Sequence, residues 1–146
     1  MFTIGAFAII FDAEGKVLLC HRRDIDIWNL PGGGVESREL PTEAVERETR
    51  EETGLEVEVD HLVGVYAKPE KDELVFAFVC NVIGGELSMT EEADACRYFK
   101  VDMLPVNTSP KQVERIVDAL QSAQPIFHRQ TGKSTHELLQ ELGLDQ

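Results

Sequence analysis

Seven glutamates fall within residues 33–55, GGVESRELPTEAVERETREETGL, and Glu48, Glu51 and Glu52 form a tight group among them. On a helix of 3.6 residues per turn these three lie within roughly a 100° arc of one face. Three carboxylates so close repel one another, and some stay protonated unless a cation sits among them. Hard oxygen ligands in a cluster are what Mg²⁺ or Mn²⁺ prefers. The PGGG stretch just upstream can bring its main chain toward the same ion, because glycine lets a backbone approach closely. The competing reading is a solvated helix face with i,i+4 pairs, such as Arg47 with Glu51. That reading gives no reason for glycines before and after the acids at these spacings.

The elements that must position these acids can be read from the surrounding pattern. Residues 3–11, TIGAFAIIF, are β-branched and aromatic, as in a buried strand. DAEG at 12–15 is a turn signal, and KVLLCHR at 16–22 reads as the second arm of a hairpin. DIDIWNLPGGG then reads as a loop. A helix is expected from Pro41, a suitable first helical residue, to Gly54, a natural C′ residue. Residues 57–66 and 74–83 read as strands, GGEL at 84–87 as a turn, and Tyr98–Val101 as a short strand. Ser109 to Gln112 has the form of a capping box opening a second helix, with Val113, Ile116, Val117 and Leu120 on its buried face. A further capping box, Ser134 to Glu137, precedes LLQEL in a tail. The expected organisation is one domain over 1–124 with 125–146 as its accessory helical tail. The element order suggests a mixed sheet covered by helices on both sides.

The 146 residues suit a single core of ordinary globular composition, 42% hydrophobic and 28% charged. With 14 basic and 27 acidic residues the net charge is −13. That argues against a general nucleic-acid or anionic-membrane binder, since no basic surface is left to neutralise phosphates. A small phosphorylated ligand stays compatible if a bound metal supplies the positive charge. Cys20, Cys80 and Cys96 are odd in number and form no CxxC pair, which reads as reduced packing thiols. There is no signal-like opening and no apolar run of membrane length. The expectation is a cytoplasmic protein, monomeric or homodimeric, with a small-molecule partner and neither nucleic acid nor membrane.

The acidic segment resembles the Nudix box, G-x5-E-x7-R-E-U-x-E-E-x-G-U, with U aliphatic. Gly33, Glu39, the Arg47-Glu48 pair, the Glu51-Glu52 pair and Gly54 match all seven fixed positions, and Leu55 follows. An accidental match is on the order of 10⁻⁸ per start point at average residue frequencies. Two departures are Thr49, where an aliphatic residue is usual, and Arg38, where the family often has glycine. VLLCHRRDIDIWNLPGGGVE and EEADACRYFKVDMLP resemble the family's flanking stretches, so the likeness spans about residues 3–122.

The resemblance implies an α/β/α sandwich with a mixed β-sheet between helices. It also implies Mg²⁺- or Mn²⁺-dependent hydrolysis of a phosphoanhydride in a nucleoside diphosphate linked to another moiety. Glu48, Glu51 and Glu52 would hold the metal, with backbone from Gly32 and Gly33. Glu39, Arg47 and Gly54 would shape the box. Glu91 and Glu92 lie where the family places a further metal-binding or basic glutamate; spacing leaves the choice open, and Glu92 joins the catalytic candidates. Arg22 and Arg23 end a strand beside the loop, and arginine clamps phosphate oxygens well; alternation favours Arg22. Asn107 resembles a base-reading asparagine, with a turn residue as the plain alternative. The four histidines show no metal-ligand spacing. On substrate, Asn107 and the first core strand's place almost at Met1 favour a nucleoside triphosphate, or a modified nucleotide, over ADP-ribose or an NDP-sugar. Pro69, fifteen residues after Gly54, points weakly the other way. A non-catalytic nucleotide sensor and an acidic interaction domain are the rivals from other classes.

Overall fold

A computed structural model of the chain describes residues 1–144. The first strand, β1 (Thr3–Ile9), alternates its side chains: Ala6 and Ala8 enter one core cluster, Phe7 and Ile9 the other. A strand buried on both faces belongs in the middle of a sheet. β1 pairs antiparallel with β4 (Gly32–Gly34) and parallel with β6 (Glu73–Gly85). β5 (Leu55–Lys68) runs antiparallel to β6, and β8 (Ile126–Arg129) adds parallel to β5. The result is a mixed five-stranded sheet in the order β4-β1-β6-β5-β8. A second, antiparallel sheet joins β3 (Trp28–Asn29), β2 (Val17–Arg22) and β7 (Ala93–Phe99).

Helix α1 (Pro41–Thr53) packs Ala44 and Val45 into the cluster of Ala6, Ala8 and Phe78. Helix α2 (Pro110–Gln121) sets Ile116 into the other cluster, with Ile9, Tyr66 and Val75. The architecture is therefore the expected α/β/α sandwich with a mixed sheet between helices. Each fully buried Ile or Leu contributes roughly 1.5–3 kcal/mol to it. A third helix, α3 (Thr135–Leu142), covers Ile27 with Leu138 and Leu139.

Several expectations change. The expected hairpin is short: Phe11 and Val17 bridge antiparallel, the Asp12 N–H donates to the Lys16 carbonyl at 2.9 Å and the Leu18 N–H to the Ile10 carbonyl at 3.0 Å, while the edges of β1 itself are taken by β4 and β6. The glycines expected in a loop make β4, an edge strand whose missing side chains leave room for α1. The strand expected at Tyr98–Val101 is β7, which both starts and ends earlier, at Ala93 and Phe99. Ser109 makes no side-chain cap at α2; Gln112 instead turns inward, and its Oε1 accepts from the Leu30 N–H at 3.1 Å. α2 buries Gln112, Arg115 and Ile116 and leaves Val117 and Leu120 exposed. Its inward polar residues find remote partners, which no apolar periodicity records. The tail contributes β8 to the main sheet as well as the expected helix; there Ser134 Oγ does cap Glu137 N–H, at 3.1 Å. Cys20 and Cys96, remote in sequence, face each other as free thiols with Sγ atoms 2.7 Å apart. That contact and burial both push the Cys20 thiol's pKa upward.

Candidate active site

α1 carries most of the site, and its ends are set locally. Pro41 opens it, and the Leu40 N–H donates to Glu43 Oε1 at 2.9 Å. Gly54 closes it at φ 84, where a Cβ would lie 2.4 Å from the Glu86 carbonyl oxygen. Only glycine meets both demands.

Arg47 ties the turn before α1 to the acids on it. Its Nε and Nη2 grip both oxygens of Glu39, at 2.6 and 2.9 Å. Nη1 donates to Glu48 Oε1 at 2.9 Å and to Glu51 Oε2 at 3.2 Å, and Nη2 reaches the Gly34 carbonyl at 3.1 Å. The guanidinium, together with the Glu36 N–H, draws the pKa of Glu39 down to about 2. Arg38 sits in the same turn at φ 69, the left-handed conformation that explains glycine's frequency there. Thr49 packs fully buried, as its β-branched shape allows, with its hydroxyl unpartnered among the described residues.

β4 lies against the acids. The Gly32 N–H donates to Glu52 Oε2 at 3.1 Å, and the Gly33 Cα passes so close to Glu48 that a Cβ would meet its carboxyl at 2.6 Å. Glu52 is nearly enclosed, and burial, with Glu92 and Glu48 nearby, lifts its pKa to about 7. Burial also raises Glu48. A remote loop supplies the last acid. Thr90 Oγ1 donates to the Glu52 carbonyl at 3.0 Å and accepts from the Glu92 and Ala93 N–H groups. Glu92 thereby joins Glu48 and Glu51, with one carboxylate oxygen from each within 4.8 Å of the others. Glu91 lines the adjoining cavity instead.

That cavity, about 410 Å³, is walled by Glu52, Glu92, Arg22 and Arg23, with Phe7 and Asn29. Arg22 is held by Asp24 through Nε at 2.8 Å and through Nη2; Arg23 Nε donates to the Thr90 carbonyl at 2.8 Å. Asn107 stands apart from this wall; its Nδ2 donates to the Asp26 carbonyl and carboxylate, at 2.9 and 3.0 Å. Phe7, Asn29 and Thr90 escaped sequence reasoning. Nothing in a lone apolar or turn-type residue signals a site that strand pairing alone brings near.

A family model for the NUDIX domain matches residues 1–120. The chain belongs to the Nudix hydrolase family. Among its relatives, a MutT-like protein of Streptomyces ambofaciens is 32% identical over 131 residues, covering 90% of this chain and 85% of that protein. An ADP-ribose pyrophosphatase of Methanocaldococcus jannaschii is 39% identical over 103 residues, covering 66% and 61%. Among solved structures, an ADP-ribose pyrophosphatase from Streptococcus suis superposes with a TM-score of 0.72 at 26% identity, covering 88% of this chain and 98% of that one.

Proposed function

We propose that this chain hydrolyses a phosphoanhydride in a nucleoside diphosphate linked to another moiety, with Mg²⁺ or Mn²⁺ held by Glu48, Glu51 and Glu92 beside Glu52. The carrying observation is the convergence of the three carboxylates, from one helix and one distant loop, beside a cavity that also holds two arginines. The donors fit such an ion: all are carboxylate oxygens, and burial first, then the neighbouring carboxylates, raises the pKa values of Glu48 and Glu52, a cost that a bound cation would relieve. Once bound, the cation would neutralise anhydride oxygens and make a bound water more acidic.

The chain's own groups supply the rest. Arg22 and Arg23 offer guanidinium donors to phosphate oxygens on the cavity wall. Glu52 Oε2 is fixed by the Gly32 N–H, leaving Oε1 to take the proton of the water that attacks phosphorus. One P–O bond forms to water, one anhydride P–O bond breaks, and two phosphate-bearing products leave. Arg47 acts through position, holding Glu48 and Glu51 toward the ion.

The substrate we favour is a nucleoside triphosphate or modified nucleotide, cut to a monophosphate and pyrophosphate, and similarity to a Bacillus subtilis protein named as an 8-oxo-dGTP diphosphatase, 32% identical over 127 residues, supports it. Similarity to ADP-ribose pyrophosphatases favours the second reading, cleavage of ADP-ribose or an NDP-sugar. A panel of both classes with Mg²⁺, scored by kcat/KM, separates them. Glu52→Gln and Glu48→Gln should each cut turnover by about 10²-fold or more while circular dichroism holds. Turnover within a few-fold of the parent, or turnover that EDTA leaves intact, would return the helix to a solvated face. No turnover of any panel compound by the parent chain, with nucleotide binding retained, would favour a sensor.

A further inference from the structure

A second cavity, about 440 Å³, opens beside the first and shares Phe7, Arg22 and Asn29 with it. In a chain of 14 basic and 27 acidic residues, this wall is basic: Lys68, Lys71, Lys111 and Arg115 join Arg22. The acids on it are Glu70 and Glu137, and Glu137 is engaged by the Ser134 N–H in the cap of α3. Lys68 pairs with Glu73 at 2.9 Å and Arg22 with Asp24. Lys71, Lys111 and Arg115 have no ion-pair partner among the described residues.

Arg115 is the anomaly. It is 1% exposed, with Nε and Nη2 both donating to Gln130 Oε1, at 3.2 and 2.8 Å, and its Cζ 5.5 and 5.3 Å from the Phe7 and Tyr66 ring centroids. Its Nη1 makes no hydrogen bond among the described residues, and burial draws its pKa down to about 10. Glu73 and Glu114 act on it from beyond ion-pair distance and only partly offset that burial. A buried cation without a direct ion pair is costly, and an arriving anion lowers that cost. The N-terminal ends of α2, at Ser109 and Gln112, and of α3, at Ser134 and Thr135, border the same space and add partial positive charge.

We propose that this cavity receives a third phosphate group of the substrate, beyond the two joined by the scissile anhydride. The proposal rests on the hydrolase reading above and deepens it. Two kinds of substrate supply such a group: a nucleoside triphosphate through its terminal phosphate, and an ADP-sugar through a phosphomonoester on a ribose. The shared chemistry is a dianionic phosphate seated against Arg115, Lys71 and Lys111.

Two measurements test it. The first is calorimetric titration of the full chain with inorganic pyrophosphate in EDTA, where the metal-free carboxylates repel the anion from the first cavity and the basic cavity attracts it. Saturable one-to-one binding is expected, weakened about ten-fold or more in the double variant Lys71→Ala/Lys111→Ala. No saturable binding, or equal binding by the double variant, overturns the proposal. The second compares kcat/KM with Mg²⁺ for dGTP against dGDP and for 2′-phospho-ADP-ribose against ADP-ribose. The more phosphorylated member of one pair should be favoured by about ten-fold, naming the source, and the ratio should fall to near one in the double variant. Equal values in both pairs overturn the third-phosphate site and leave the hydrolase reading standing. Hydrolysis of none of the four compounds strikes at that reading, and the pyrophosphate titration then decides the cavity by itself.

Discussion

Replacing Gly33 by alanine separates a carboxylate that must sit in one place from one that merely faces solvent. A Cβ at Gly33 would stand 2.6 Å from Cδ and Oε2 of Glu48 and 2.9 Å from Oε1, where ordinary contact begins at 3.4 Å. The carboxylate must therefore retreat by about 0.8 Å, and it is the free end of a flexible side chain, so the fold survives. The retreat strains its 2.9 Å hydrogen bond from Arg47 and moves it away from Glu51 and Glu92. A misplacement of about 1 Å at a reacting centre costs up to about 10²-fold in rate, or roughly 2.7 kcal/mol of barrier. Gly34→Ala is the matched control, since a Cβ there meets nothing within 4 Å. The assay is kcat/KM on the best substrate of the panel over a Mg²⁺ titration, with melting temperatures alongside. Gly33→Ala should lose about 30- to 100-fold and need more Mg²⁺, while Gly34→Ala stays within about three-fold. Equal behaviour of the two variants, in either direction, would refute the claim that Glu48 is held for a metal.

Three further outcomes are expected. Arg22→Ala should raise KM more than Arg23→Ala, because Arg22 lines both cavities and Arg23 only the first; steady-state kinetics showing the reverse order would refute this. Burial opposes the charge on His21, yet its hydrogen bonds to Asp26 and Asp94, at 2.7 and 2.8 Å, outweigh it and raise the pKa above 6.5. The protonated ring thus contributes its full stability below pH 6.5, and that contribution is lost as pH rises through the folded-state value. Melting temperature should fall across that window in the parent and less so in His21→Gln; parallel profiles would count against it. Thr49→Val replaces a fully buried, unpartnered hydroxyl by a methyl group of the same shape. Denaturant unfolding should show a gain of about 1 kcal/mol, and a loss would mean the hydroxyl has a partner.

The helix of the site was legible because its determinants are local. Pro41, the acids at 48, 51 and 52, and Gly54 act within a few turns of one another, and the structure sets α1 at Pro41–Thr53 with Gly54 as its left-handed cap. The strands at 3–9, 55–68 and 73–85 were legible for a related reason, since β-branched alternation reports burial directly. Their partners were not. Whether β2 pairs with β1 or with β7 depends on which edges other segments have already occupied, and β4 is a strand only because β1 accepts it.

By itself, then, the amino-acid sequence determined a carboxylate-bearing helix between two glycines, the sandwich class, and hydrolase chemistry through the box it resembles. Tertiary structure alone decided that Glu92, forty residues beyond Glu52, rather than Glu91, meets Glu48 and Glu51. It decided too that Gln112 and Arg115 turn inward, where apolar spacing had placed Val117 and Leu120. The physical reason is long-range pairing in both cases. Gln112 and Arg115 can be buried only where a partner waits, here the Leu30 N–H and Gln130, and Glu92 reaches the acids of α1 because Thr90 binds its loop to the Glu52 carbonyl.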